Sequence, residues 1–134
     1  MTDATSVYEP PEDLNLADYF LDARLREGLG DKEALRLDDR RLTYREVQAL
    51  ANRCAGMLAR LGVRQEERVV VALPDGPEYV ATLFGIFKAG AVAVMVNPQL
   101  PEAELAGILA YSRARLAVVD AAALPAWEIG RAHV

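Results

Sequence analysis

The chain has 134 residues, 52% of them hydrophobic, with a formal net charge of −5. That length and apolar content suit one globular domain with a real core and exclude a wholly disordered chain. Asp3, Glu9, Glu12 and Asp13 carry the excess charge; without these four, 16 acidic residues face 15 basic ones, which argues against non-specific nucleic-acid binding, since that requires a basic face.

Residues 1–13 read as a flexible acidic lead broken by Pro10-Pro11. They lack the basic start and apolar run of a signal peptide. A helix is predicted from residue 16 to about 26, with Leu16, Tyr19, Phe20, Ala23 and Leu25 as its apolar side and "GLGD" as its stop. In "ALRLDDRRLTY", Leu35, Leu37 and Leu42 flank Asp38-Asp39, which predicts two short strands joined by a turn. Thr43 and Glu46 then form a T-x-x-E capping box. Val47, Leu50, Ala51, Cys54, Leu58 and Leu61 recur at helical spacing behind it, and Gly62 closes the helix. Cys54 therefore faces the core as packing. As the sole cysteine it excludes an internal disulfide and a multi-cysteine zinc site, and it fits a cytoplasmic setting.

The run "RVVVAL" predicts a strand, and "PDGPEYVATLFGIFKAG" a helix starting at Pro77 and ending at Lys88. Between those ends the helix is almost wholly apolar, so Leu83 and Phe87, four residues apart, are expected in the core. "AVAVMVN" is the next strand, "PEAELAGILAYS" the next helix and "LAVVD" the strand after it. Both "VVVAL" and "AVAVMV" are apolar enough for cover on both faces. The alternation predicts an α/β fold, a parallel sheet with right-handed βαβ crossovers. No stretch is long and apolar enough for a membrane span.

Lys88 and Gly90 tempt a phosphate-loop reading, but they end a helix and precede a strand. Phosphate loops run from a strand into a helix start, where free N–H groups and the positive dipole end meet the anion. Gly28-x-Gly30 follows a helix and is no better. There is no Walker pattern, and no residue earns a catalytic, cofactor-binding or metal role. Asn97 and Pro98 lie just past a strand's C-terminal end, where ligands bind in open α/β sheets; loop structure is the plainer account of them.

The segment "LTYREVQALANRCAGMLARLGVRQEERVVVALPDGPEYVATLFGIFKAGAVAVMVNP" resembles the adenylate-forming (AMP-binding) enzymes, which include acyl-CoA synthetases, aryl-CoA ligases and the adenylation domains of peptide synthetases. "NLADYFLDARLREGLGDKEAL" and "YSRARLAVVD" are similar to the corresponding parts of benzoate-type CoA ligases. The resemblance implies that residues 14–127 are the N-terminal part of the large domain of an acyl-CoA synthetase-like fold. It implies a parent enzyme that activates a carboxylic acid, benzoate-like on this branch, as acyl-AMP and passes it to coenzyme A, using ATP and Mg2+. The family's Ser/Thr/Gly-rich phosphate loop, adenine motif, ribose aspartate and adenylating lysine have no counterpart in this stretch. The fragment by itself is therefore expected to be inactive and to bind none of these cofactors tightly. Two other readings stand beside this one: a fragment of a peptide-synthetase adenylation domain, and a self-contained small α/β ligand-binding module without catalysis.

The end "EIGRAHV" departs from the pattern. Residues 129–134 are what "atcggaagagcacacgtc" encodes, a string that resembles a sequencing-library adapter. Residues 128–134 are accordingly expected to be a non-native tail, and His133, the only histidine, loses its claim as a base or ligand.

Overall fold

The structure, a computed structural model, describes residues 7–120. The expected tail at 128–134, His133 and the first six residues of the acidic lead lie outside the described residues. Of the lead, Tyr8 lays its ring against Tyr19, centroids 5.8 Å apart.

A π-helical segment, Asp18–Asp22, runs into an α-helical turn, Ala23–Arg26; together they form α1. Strands β1 (Glu33–Leu37) and β2 (Arg40–Thr43) make an antiparallel hairpin whose turn holds Asp38 in the left-handed region, φ 51°. Helix α2 is Tyr44–Arg60, followed by β3 (Arg68–Ala72), α3 (Pro77–Lys88), β4 (Val92–Met95), α4 (Glu102–Ser112) and β5 (Leu116–Val119).

Local chemistry explains the helix ends. Thr43 Oγ1 accepts the Glu46 N–H at 3.2 Å while Glu46 Oε1 accepts the Thr43 N–H at 3.3 Å, the complete capping box. Helices α2 and α3 end in the same way. Gly62 N–H bonds to Ala59 O and Val63 N–H to Leu58 O; Gly90 N–H bonds to Phe87 O and Ala91 N–H to Ile86 O. Each glycine takes positive φ, 83° and 70°, and each motif carries its apolar contact into the same core cluster, Leu58 with Val63 and Ile86 with Ala91. Gly62→Ala is expected to cost about 1 kcal/mol for the left-handed conformation. A shifted urea midpoint with an unchanged slope would show it; no shift would mean that the turn relaxes freely.

The three parallel strands lie in the order β4-β3-β5. Central β3 alternates its side chains between two cores. Val69 and Val71 pack with Leu58, Val63 and Ile86 on the α2 and α3 side; Val70 and Ala72 pack with Leu105 and Leu109 of α4 on the other. The chain moves from β3 to β4 over one face and from β4 back past β3 to β5 over the opposite face. Reversing both direction and face leaves the two crossovers with the same hand, as the right-handed rule requires. A third cluster, Leu21, Leu42, Val47 and Ala51, joins α1 and the hairpin to α2.

Four expectations about burial are corrected. The inward face of α1 is Ala17 and Leu21, both buried, while Leu16, Tyr19 and Phe20 are exposed, Phe20 to 56%. Polar ties described below fix the rotation of that helix, and small Ala17 allows the closer approach. Leu61 lies past the last turn of α2 and is 53% exposed. On α3 the buried stripe is Ala81, Thr82, Gly85 and Ile86. Leu83 and Phe87 are only half-buried, because the helix turns its small residues to α2. Phe87 stands edge-on to Phe84 with ring centroids 6.3 Å apart. Phe87→Ala is thus expected to cost about 1–1.5 kcal/mol, half the value for a fully buried ring; a loss of twice that in a denaturation series would place Phe87 in the core after all. β3 is covered on both faces as expected, whereas β4 is an edge strand among the described residues and exposes Val92 and Met95.

Candidate functional site

In an open α/β sheet the loops after adjacent strands part where the chain leaves for opposite faces, and the crevice lies at the strands' C-terminal ends. Here that place is between β3 and β4. The loop at residues 73–76 leads to α3 on one face, and the loop at residues 96–101 leads to α4 on the other.

Asn97 and Pro98 do sit on this rim. Val96 N–H still bonds to Val71 O at 3.0 Å, so the sheet carries the chain to the edge of the loop. Asn97 Oδ1 then accepts the Gln99 N–H at 2.9 Å, and its carbonyl accepts the Leu100 N–H at 3.3 Å. That is an Asx turn, so the side chain shapes the loop. Pro101 precedes Glu102 and Glu104, which put two carboxylates in the first turn of α4. At the opposite loop Pro77 is buried at the start of α3, and Glu78 stands in its first turn. A proline without N–H and a carboxylate at the helix start do not make a phosphate cradle. The hairpin reaches the same rim: Arg40 Nη1 lies 3.1 Å from Glu78 Oε1. Its own backbone hydrogen bond and then Arg40 hold the Glu78 carboxyl below the usual glutamate range. Among the described residues no group of three or more His, Cys, Asp and Glu could hold a metal ion. The residues of this rim therefore do not fit ATP phosphates or a magnesium ion.

Lys88 turns out to be a structural cation. Its ammonium lies 2.8 and 2.7 Å from the two carboxylate oxygens of Asp22, with side-chain exposures of 16% and 21%. Gln48 Nε2 donates to the same carboxylate at 2.9 Å. Asn15 adds a second tie: its Nδ2 donates to Phe87 O at 2.7 Å while its Oδ1 accepts the Ala17 N–H at 2.9 Å. Together they fix α1 against the end of α3. Sequence reasoning placed Lys88 at a helix end but missed Asp22, Gln48 and Asn15. No periodicity links residues 66 and 72 positions apart.

Cys54 behaves as packing. It is half-buried beside Gly85, its Sγ reaches only Thr82 O at 3.9 Å, and burial pushes its thiol upward from the usual value. It should react with a thiol reagent at neutral pH more slowly than free cysteine; an equal rate would show that the α2–α3 contact opens readily.

The architecture is a doubly wound α/β unit, and in such folds ligands bind at the C-terminal rim of the strands, here β3 and β4. The profile of the AMP-binding enzyme family matches residues 22–133, and the chain belongs to that family. The 3-hydroxybenzoate–CoA/4-hydroxybenzoate–CoA ligase of Thauera aromatica is 35% identical over 113 residues, 84% of this chain and 22% of that protein. The phosphinothricin tripeptide synthetase PhsC of Streptomyces viridochromogenes is 43% identical over 86 residues, 64% of this chain and 8% of that protein. Among solved structures, the anthranilate CoA ligase AuaEII in complex with anthranoyl-AMP superposes with a TM-score of 0.86 at 37% identity, over 92% of this chain and 24% of that one. The chain thus spans about a fifth to a quarter of the ligases it matches. The matched architecture is the N-terminal part of an adenylate-forming acyl-CoA ligase domain.

Proposed function

We propose that this chain is the N-terminal frame of an ATP-dependent acid–thiol ligase that activates an aromatic, benzoate-like carboxylic acid as acyl-AMP and transfers it to coenzyme A. The observation that carries the proposal is the match, over more than four fifths of this chain, to a hydroxybenzoate–CoA ligase and to an anthranilate CoA ligase. Benzoate-like acid, Mg2+ and a cytoplasmic location are parts of this proposal. The frame's contribution is mechanical: β3 and β4 present their C-terminal loops, and Lys88, Asp22 and Asn15 hold the flank. Groups that contact ATP lie outside the described residues on this reading, so this chain alone makes no acyl-adenylate.

Two measurements test it. The full-length gene product, given ATP, magnesium and coenzyme A, should release AMP with benzoate and hydroxybenzoates more readily than with fatty acids or amino acids. The 134-residue chain, given ATP, magnesium and benzoate, should release no pyrophosphate above a heat-killed control. The similarity to PhsC supports a second reading, an adenylation domain loading a carrier-protein thiol. Pyrophosphate exchange driven by an amino acid and not by any benzoate would replace the first reading with that one.

A further inference from the structure

A groove of about 410 Å³ between β2 and α2 is lined by three arginines, Arg40, Arg41 and Arg53, with Leu42, Ala49 and Leu50 beside them. Like charges brought together repel unless something answers them. Little on the chain does. Arg53 has no hydrogen bond or ion pair among the described residues. Arg41 Nη1 is 4.0 Å from Glu33, but Arg36 already holds that carboxylate at 2.6 and 3.2 Å. Arg40 has only the exposed contact to Glu78 at 3.1 Å. The one carboxylate in the groove, Glu46, takes the Thr43 N–H and hydroxyl on Oε1 and leaves three guanidinium groups against one negative charge. Exposed pairs of this kind contribute about 0–1 kcal/mol, so each guanidinium is available to a better acceptor.

We propose that this groove is a binding site for a small organic phosphate, with Arg41 and Arg53 forking onto the phosphoryl oxygens and Ala49 and Leu50 against the apolar body. Guanidinium forks match phosphate oxygens bidentately, and two spare forks call for a multiply charged group, which one carboxylate cannot satisfy. The net negative charge of the chain argues for a small ligand over a nucleic acid. The proposal goes beyond the ligase reading and does not depend on it.

The test is a chemical-shift titration of the 134-residue chain with inorganic phosphate, pyrophosphate, ATP, coenzyme A and benzoate in separate arms. Saturable binding at about 1 mM or tighter is expected for the phosphates, stronger with more phosphoryl groups. Arg53→Ala and Arg41→Ala should each weaken it about tenfold, a loss of one charge-assisted contact. Arg60→Ala, on the same helix outside the groove, should leave it unchanged. The ATP and coenzyme A arms tell which phosphate source is preferred, and preference for either supports the site. No saturable response, equal binding of benzoate, or an equal loss in Arg60→Ala overturns it. Because the readout is binding without turnover, the site stands or falls separately from the ligase reading.

Discussion

Replacing Gly85 by alanine will lower the stability of the fold by about 2 kcal/mol. A Cβ built on Gly85 would lie 2.6 Å from Cys54 Cβ, 2.8 Å from Cys54 Sγ and 3.1 Å from the Ala51 carbonyl oxygen. Two of those atoms, a Cβ and a backbone oxygen, cannot swing aside, so α2 and α3 must separate. Overpacking costs about 1–3 kcal/mol and occasionally more. The better helix propensity of alanine returns about 1 kcal/mol, which leaves the net loss at the upper end of ordinary substitutions. A denaturant titration of the variant measures it. Adding Cys54→Gly should recover much of the loss, since the two sites share one contact and cannot be additive. An unchanged midpoint for Gly85→Ala would mean that the helices are not in contact at this point.

The second large effect belongs to the ion pair between α1 and α3. Asp22→Ala leaves the Lys88 ammonium, only 16% exposed, without its carboxylate. Breaking a fully buried pair costs about 3–5 kcal/mol. These side chains keep some contact with water, so about 2–3 kcal/mol is expected here. The loss should fall first on α1, which Asp22 and Asn15 hold, and hydrogen exchange should show its amides exposed before those of β3. The double replacement Asp22→Leu with Lys88→Met should be nearly as stable as the original, because an apolar pair has no charge to desolvate. Equal destabilisation in the single and double variants would show that shape, and not charge, governs this contact.

Both effects involve residues whose neighbours are far along the chain, and that separates what was legible in the sequence from what was not. The Thr43-x-x-Glu46 box, the closing glycines 62 and 90, and the helix from Pro77 to Lys88 were legible because each signal is complete within a few residues. The alternating strands and helices likewise implied the parallel sheet. Asn97 and Pro98 could be placed at the rim by counting strand ends, and the Asx turn that occupies Asn97 is itself a local device. The resemblance to adenylate-forming enzymes rested on the same local pieces in order, and the family match agrees with it.

The faces of the helices were another matter. Hydrophobicity favoured Leu16, Tyr19 and Phe20 as the inner side of α1, yet Asp22 reaching Lys88 and Asn15 reaching the Phe87 carbonyl turn Ala17 and Leu21 inward. The same holds for α3, where Gly85 and not Leu83 or Phe87 meets α2. The sequence by itself determined, to within about two residues, where each helix and strand begins and ends, because capping, turns and periodicity act between residues a few positions apart. Only the tertiary structure decided which side of each helix is buried, which cation is paired and which arginines are left over. Those outcomes depend on charges and close approaches between segments far apart in the chain, and no local pattern encodes such distances.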